Sequence, residues 1–209
     1  AFLPVFAERL ARAGFVAITA SVSGAGVDAA GDFTRLDRFA SNTYSKELDD
    51  LERVVGALQR GELQVAPPTS IGVVGHSRGG GMALLLARET AAVAAVVTWA
   101  GIGKVRRHTD AELEAWQRLG TITILHQRLR IRLPLHYDVV ADCLAHEDGR
   151  LSIPEAARTL GRPWLQVHGT ADTTVTLAEA NALAEHAGDA LTERLILEDA
   201  DHTFGTKHP

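Results

Sequence analysis

Ser77 stands in the stretch VVGHSRGGG, Val73 to Gly81, flanked by Gly75 and Gly79 and directly preceded by an apolar run. A serine hydroxyl is a weak nucleophile until a base takes its proton, and the base needs an acid to orient it. Both partners stand downstream. Asp172 lies in HGTADTTV and His202 in EDADHTFG, each just past a short apolar run. Serine, then aspartate, then histidine, with the serine on a strand-to-helix elbow, points to a base-activated serine nucleophile. The glycines fit that demand. A nucleophile on so tight a turn brings the residues two before and two after it together, so a Cβ at Gly75 or Gly79 is expected to clash. Gly80 and Gly81 are expected to let the helix pack close to the sheet. A phosphate-binding loop is excluded, because no Lys-Ser or Lys-Thr pair closes the turn.

These residues need a scaffold, and the periodicity supplies one. Phe2, Phe6 and Leu10 recur at helical spacing, with Gly14 as a stop. Leu48, Leu51, Val55 and Leu58 form a second helical stripe ending at Gly61. MALLLARET and LAEANALAEHAG read as further helices. FVAITASV (Phe15 to Val22), IGVV (Ile71 to Val74), VAAVVTWA (Val93 to Ala100), WLQVHG (Trp164 to Gly169) and RLILE (Arg194 to Glu198) are short apolar runs that read as buried strands. Strands alternating with helices predict one α/β domain over residues 1–209, a mostly parallel sheet with helices on both faces. Gly101 to Gly161 is too long for a simple connection and reads as a small cap inserted between strands.

Composition narrows the partners. Of 209 residues, 46% are hydrophobic and 22% charged, as in an ordinary globular domain, and the net charge of −5 offers no basic face for nucleic acid. No apolar run approaches the ~20 residues needed to cross a bilayer, so no membrane partner is expected. The first residues have neither the basic start nor the small-residue cleavage site of a signal peptide. Cys143 is the single cysteine, so no internal disulfide forms, and a cytoplasmic location is expected.

Nine histidines compete for the role of base. His108, His126, His136, His146, His186 and His208 show no metal-ligand spacing and read as surface or cap residues, so no metal is expected. His76 reads as structural, directed away from the nucleophile by the tight turn, and His168 as loop packing. His202 alone follows the last strand and precedes a freeing glycine, Gly205. Asp172 is preferred as the acid over Asp148, which lies in the insertion, and over Asp199 and Asp201, which read as solvated or capping residues.

GHSRGG, HGTADTTV and DHTFG resemble the nucleophile, acid and histidine motifs of the α/β-hydrolase superfamily, in its serine-esterase branches. Those branches include dienelactone-hydrolase-like proteins, cinnamoyl or feruloyl esterases and prolyl-oligopeptidase-like domains. The resemblance implies an α/β-hydrolase fold and cleavage of a small-molecule carboxylic ester through an acyl-enzyme on Ser77, with no cofactor. His202 is the implied base, Asp172 the orienting acid, and the backbone N–H of Arg78 an oxyanion donor. Trp99, Ile102 and Trp116 are candidates to line an acyl or aryl pocket. True dienelactone hydrolases carry a cysteine at the elbow, so Ser77 argues against that particular activity. A prolyl-oligopeptidase-like peptidase and a non-catalytic binding protein are the alternatives; oligomeric state is not encoded in any motif. The resemblance also implies a second oxyanion N–H on a His-Gly loop upstream of the first large helix, and a further strand between those at Phe15 to Val22 and Ile71 to Val74. Neither is in the sequence, so the chain is expected to be a fragment lacking an upstream segment and a final helix.

Overall fold

A computed structural model describes residues 2–28, 30–126, 130–187 and 192–205. In chain order the helices are α1 (Phe2–Arg12), α2 (Leu36–Ala40), α3 (Tyr44–Gln59), α4 (Arg78–Glu89), α5 (Asp110–Leu119), α6 (Asp138–His146), α7 (Ile153–Arg158) and α8 (Leu177–His186). The strands are β1 (Ile71–His76), β2 (Val93–Trp99), β3 (Thr121–His126), β4 (Ile131–His136), β5 (Trp164–Gly169) and β6 (Thr192–Leu197). The order β1-β2-β5-β6 makes one sheet in which every pairing is parallel, while β3 and β4 form a separate antiparallel hairpin. None of the helices among the described residues is long and apolar enough to cross a membrane.

Helices start and stop where local chemistry requires. Thr43 caps α3 by accepting from the Lys46 N–H, and Gly61, at φ 71°, lies just past its end. Thr109 and Glu112 form a reciprocal capping box at the start of α5. Along β2 the side chains alternate. Val96 and Thr98 are buried on the face covered by α4, and Trp99 points to the other face, where Phe6 of α1 meets it edge-on at 4.7 Å. Helices therefore cover both faces. On the better buried face α3, α4, α7 and α8 pack in succession, around Leu48, Leu84, Leu85 and Ile153.

Two expectations change. Phe15 to Val22 is no strand, and Phe15, Val16 and Ile18 are exposed. A strand exists only through a neighbour's hydrogen bonds, and an apolar run alone supplies none. The insertion is also not all cap. A parallel step from β2 to β5 needs a crossover, and α7 provides it by packing between α4 and α8, with Ile153 and Ala156 fully buried. The part that stands apart from the sheet is α5, the β3-β4 hairpin and α6.

Candidate active site

Ser77 joins β1 to α4 with φ 56° and ψ −120°, a conformation that costs a non-glycine residue on the order of 1–3 kcal/mol. Local bonds hold it there. Its N–H donates to the Trp99 carbonyl at 2.8 Å, and its carbonyl accepts from Gly80 at 2.9 Å and Ile102 at 3.1 Å. The glycines divide the work unevenly. A Cβ on Gly75 would sit 2.0 Å from the Gly79 carbonyl oxygen, and one on Gly80 would sit 2.6 Å from the Gly101 Cα. A Cβ on Gly79 would meet nothing within 4 Å. The expected close approach is real, but only Gly75 points into it; Gly79 takes part with its carbonyl.

Asp172 and His202 arrive from the loops after β5 and β6. Asp172 is 5% exposed. Its Oδ1 accepts from the Thr174 and Val175 N–H groups at 2.8 and 3.0 Å, while Oδ2 lies 2.8 Å from His202 Nδ1. On the far side of the ring, His202 Nε2 lies 3.0 Å from Ser77 Oγ. A carboxylate only accepts, so the network assigns the proton to Nδ1 and leaves the Nε2 lone pair facing the serine hydroxyl. His168 is fully buried, as a loop-packing residue should be: its Nε2 donates to the Val175 carbonyl at 2.8 Å and lies 3.5 Å from Asp172 Oδ2. Asp148 is exposed in the turn after α6. Asp201 shapes the turn around His202, its Oδ1 accepting from the Thr203 and Gly205 N–H groups. His208 lies outside the described residues.

Arg78 opens α4, so its backbone N–H has no intrahelical acceptor. Its side chain turns toward α3. Nε donates to Glu47 Oε2 at 2.9 Å, the guanidinium carbon stacks 3.7 Å over the Tyr44 ring, and Asn42 completes the cluster by donating to Glu47 Oε1 at 2.6 Å. No pattern in the sequence marks this cluster. Beside it lies a cavity of 120 Å³, lined among others by Tyr44, Arg78, Val105, Leu113, Trp116 and Cys143. Of the three expected pocket residues, Trp116 lines this cavity, with its Nε1 donating to the Leu135 carbonyl. Ile102 and Trp99 do not line it. Ile102 is 3% exposed and fills the space left by Gly81, and Trp99 packs on Phe6 and, at 6.2 Å, on Phe204. Among the described residues no group of His, Cys, Asp and Glu is placed to hold a metal ion.

Residues 4–126 match the sequence model of the dienelactone hydrolase family. The chain belongs to that family. Solved structures agree on the fold. The α/β hydrolase GrgF from Penicillium sp. sh18 is 15% identical with a TM-score of 0.77, over 100% of this chain and 79% of that one. The esterase domain of a Rhodothermus marinus protein is 22% identical with a TM-score of 0.53, over 80% of this chain and 63% of that one. Est1E from Butyrivibrio proteoclasticus, solved with ferulic acid bound, is 17% identical with a TM-score of 0.63, over 81% and 64%. The chain thus spans less than two thirds of the length of those last two proteins. No curated protein matches it in sequence. This member of the dienelactone hydrolase family has the expected α/β-hydrolase fold. Its one cysteine does not stand at the elbow. Cys143 is buried in α6, where desolvation, with Asp142 adding to it, pushes the thiol up to about 12.

Proposed function

We propose that this chain carries the catalytic centre of a serine carboxylic-ester hydrolase. The observation that supports it is the unbroken path from Asp172 through the His202 ring to Ser77 Oγ, at 2.8 and 3.0 Å, ending on a strained elbow. In the first step Ser77 Oγ attacks the ester carbonyl carbon while His202 Nε2 takes the hydroxyl proton. Asp172 steadies the imidazolium that results. The negative charge moves to the former carbonyl oxygen, which the Arg78 N–H faces. Collapse breaks the bond to the alkoxide, and His202 returns its proton to that leaving group. Water then repeats the sequence on the acyl-enzyme, restoring Ser77. The apolar arm of the ester enters the cavity bounded by Tyr44, Val105, Leu113 and Trp116, a site suited to a short acyl or aryl group.

A fluorophosphonate probe with a p-nitrophenyl ester assay and an aminoacyl-anilide assay tests the proposal. Labelling of Ser77 with ester turnover alone is expected, and Ser77→Ala should abolish the label and lower ester turnover by a factor on the order of 10⁶. Cleavage of the anilide at a comparable rate makes it a peptidase. An unlabelled, inactive but folded protein is a binding protein.

A further inference from the structure

His76 is the last residue of β1, directly before Ser77, and its ring does not lead away from the site. His76 Nε2 lies 2.8 Å from the carbonyl oxygen of His202, and the two rings are 4.8 Å apart and tilted by 47°. A carbonyl only accepts, so Nε2 carries the proton and donates. We propose that His76 is a positioning residue for the base: adjacent residues of the elbow hold His202 at both ends, Ser77 at the imidazole and His76 at the main chain.

The case rests on how the His202 turn is held. His202 belongs to neither a strand nor a helix. The bonds from Thr203 and Gly205 to Asp201, and from Phe204 N to the Asp201 carbonyl, lie within the turn and fix its shape, not its place. Just upstream, Thr170 donates to the Leu197 carbonyl, Ala171 to the Ala200 carbonyl, and Asp199 to Thr170 Oγ1. Those bonds fasten the turn to the loop that carries Asp172. The bond from His76 fastens its other side to the strand that carries Ser77. A shift of the elbow therefore carries the main chain of the base with it and keeps Nε2 at bonding distance from Oγ. Misplacing a reacting group by about 1 Å can cost on the order of 10²-fold in rate.

This inference rests on the acyl-transfer reading, and the test separates the two. His76→Phe keeps a ring beside His202 and Phe204 but cannot donate. His76→Gln keeps a nitrogen donor at similar reach. For p-nitrophenyl acetate, His76→Phe should lower kcat by about 10- to 10²-fold with KM nearly unchanged, and His76→Gln should recover most of the loss. Nitrogen-15 NMR of the unsubstituted protein should find His76 with its proton on Nε2 at alkaline pH, a readout that needs no variant to fold. A His76→Phe enzyme at the parent rate, or a His76 proton on Nδ1, overturns the inference alone when Ser77→Ala is dead. Equal losses in the Phe and Gln variants, with KM rising in step, also overturn it. Full turnover by Ser77→Ala sinks the acyl-transfer reading and this inference together.

Discussion

At the scale of single residues, the acid gives the sharpest test. Asp172 Oδ2 accepts from His202 Nδ1, and an amide nitrogen in its place would donate instead and favour the tautomer with its proton on Nε2. Asp172→Asn should therefore lower kcat by roughly 10⁴, while Asp148→Asn, in an exposed turn, should leave ester turnover unchanged. Steady-state kinetics of the two variants decides between them; a reversed pattern moves the acid into the insertion. That Ser77, Asp172 and His202 would meet was legible because each obeys a local rule, a glycine-framed elbow or a polar residue just past an apolar strand. The tie from His76 to His202 was not. It joins residues 126 apart, and nothing in GHS says which way the histidine ring turns. Gly79 was misread for a related reason: a pattern records that a glycine is present, not whether its missing Cβ or its carbonyl is what the turn uses.

Between elements, the packing of α4 carries a paired prediction. A Cβ at Gly80 would press on the backbone of Gly101, which has no flexible end to yield, so Gly80→Ala should destabilise by about 1–3 kcal/mol. Gly79 is helical and faces open space, so Gly79→Ala should be neutral or stabilise by up to about 1 kcal/mol. Urea unfolding of the two variants should move the midpoint in unlike ways, and a loss at Gly79 as large as at Gly80 would refute this account of the elbow. The four strands of the parallel sheet and helices α1, α3, α4 and α8 were readable from apolar runs and helical spacing, whereas α7 lay unread inside the insertion. Phe15 to Val22 had the same apolar character and still failed to become a strand, because pairing is a property of two segments. The β3-β4 hairpin went unread for the opposite reason. Its register sets Thr123 against Pro134, and a proline that cannot donate obscures a strand signal.

For the molecule as a whole, burial of weak acids makes stability depend on alkaline pH. Desolvation holds the Cys143 thiol up to about 12, against an ordinary value of 9.0, and burial raises Tyr44 as well, with Arg78 working against both shifts. Between those pH values the unfolded chain releases the thiol proton and the folded protein keeps it. The thiol's contribution to stability is thus undiminished below pH 9 and is lost as pH rises toward 12. Urea midpoints measured from pH 8 to 11 should fall above pH 9, and Cys143→Ala should flatten that slope; an unchanged slope would mean the thiol does not titrate this way. The crossover through α7 has a further consequence, one of timing. β1 and β2 join across one helix, and the bonds that strain Ser77 come from Trp99 and Ile102. β5 reaches β2 only across the whole insertion, where Trp164 Nε1 donates to Thr98 Oγ1 over 66 residues. Closing that longer loop costs more chain entropy. During refolding the Ser77 elbow is therefore expected to form before the loops that carry Asp172 and His202 dock. In a background with Trp99 and Trp116 replaced by Phe, recovery of activity should not precede the change in Trp164 fluorescence, and activity that returned well ahead of it would reverse that order.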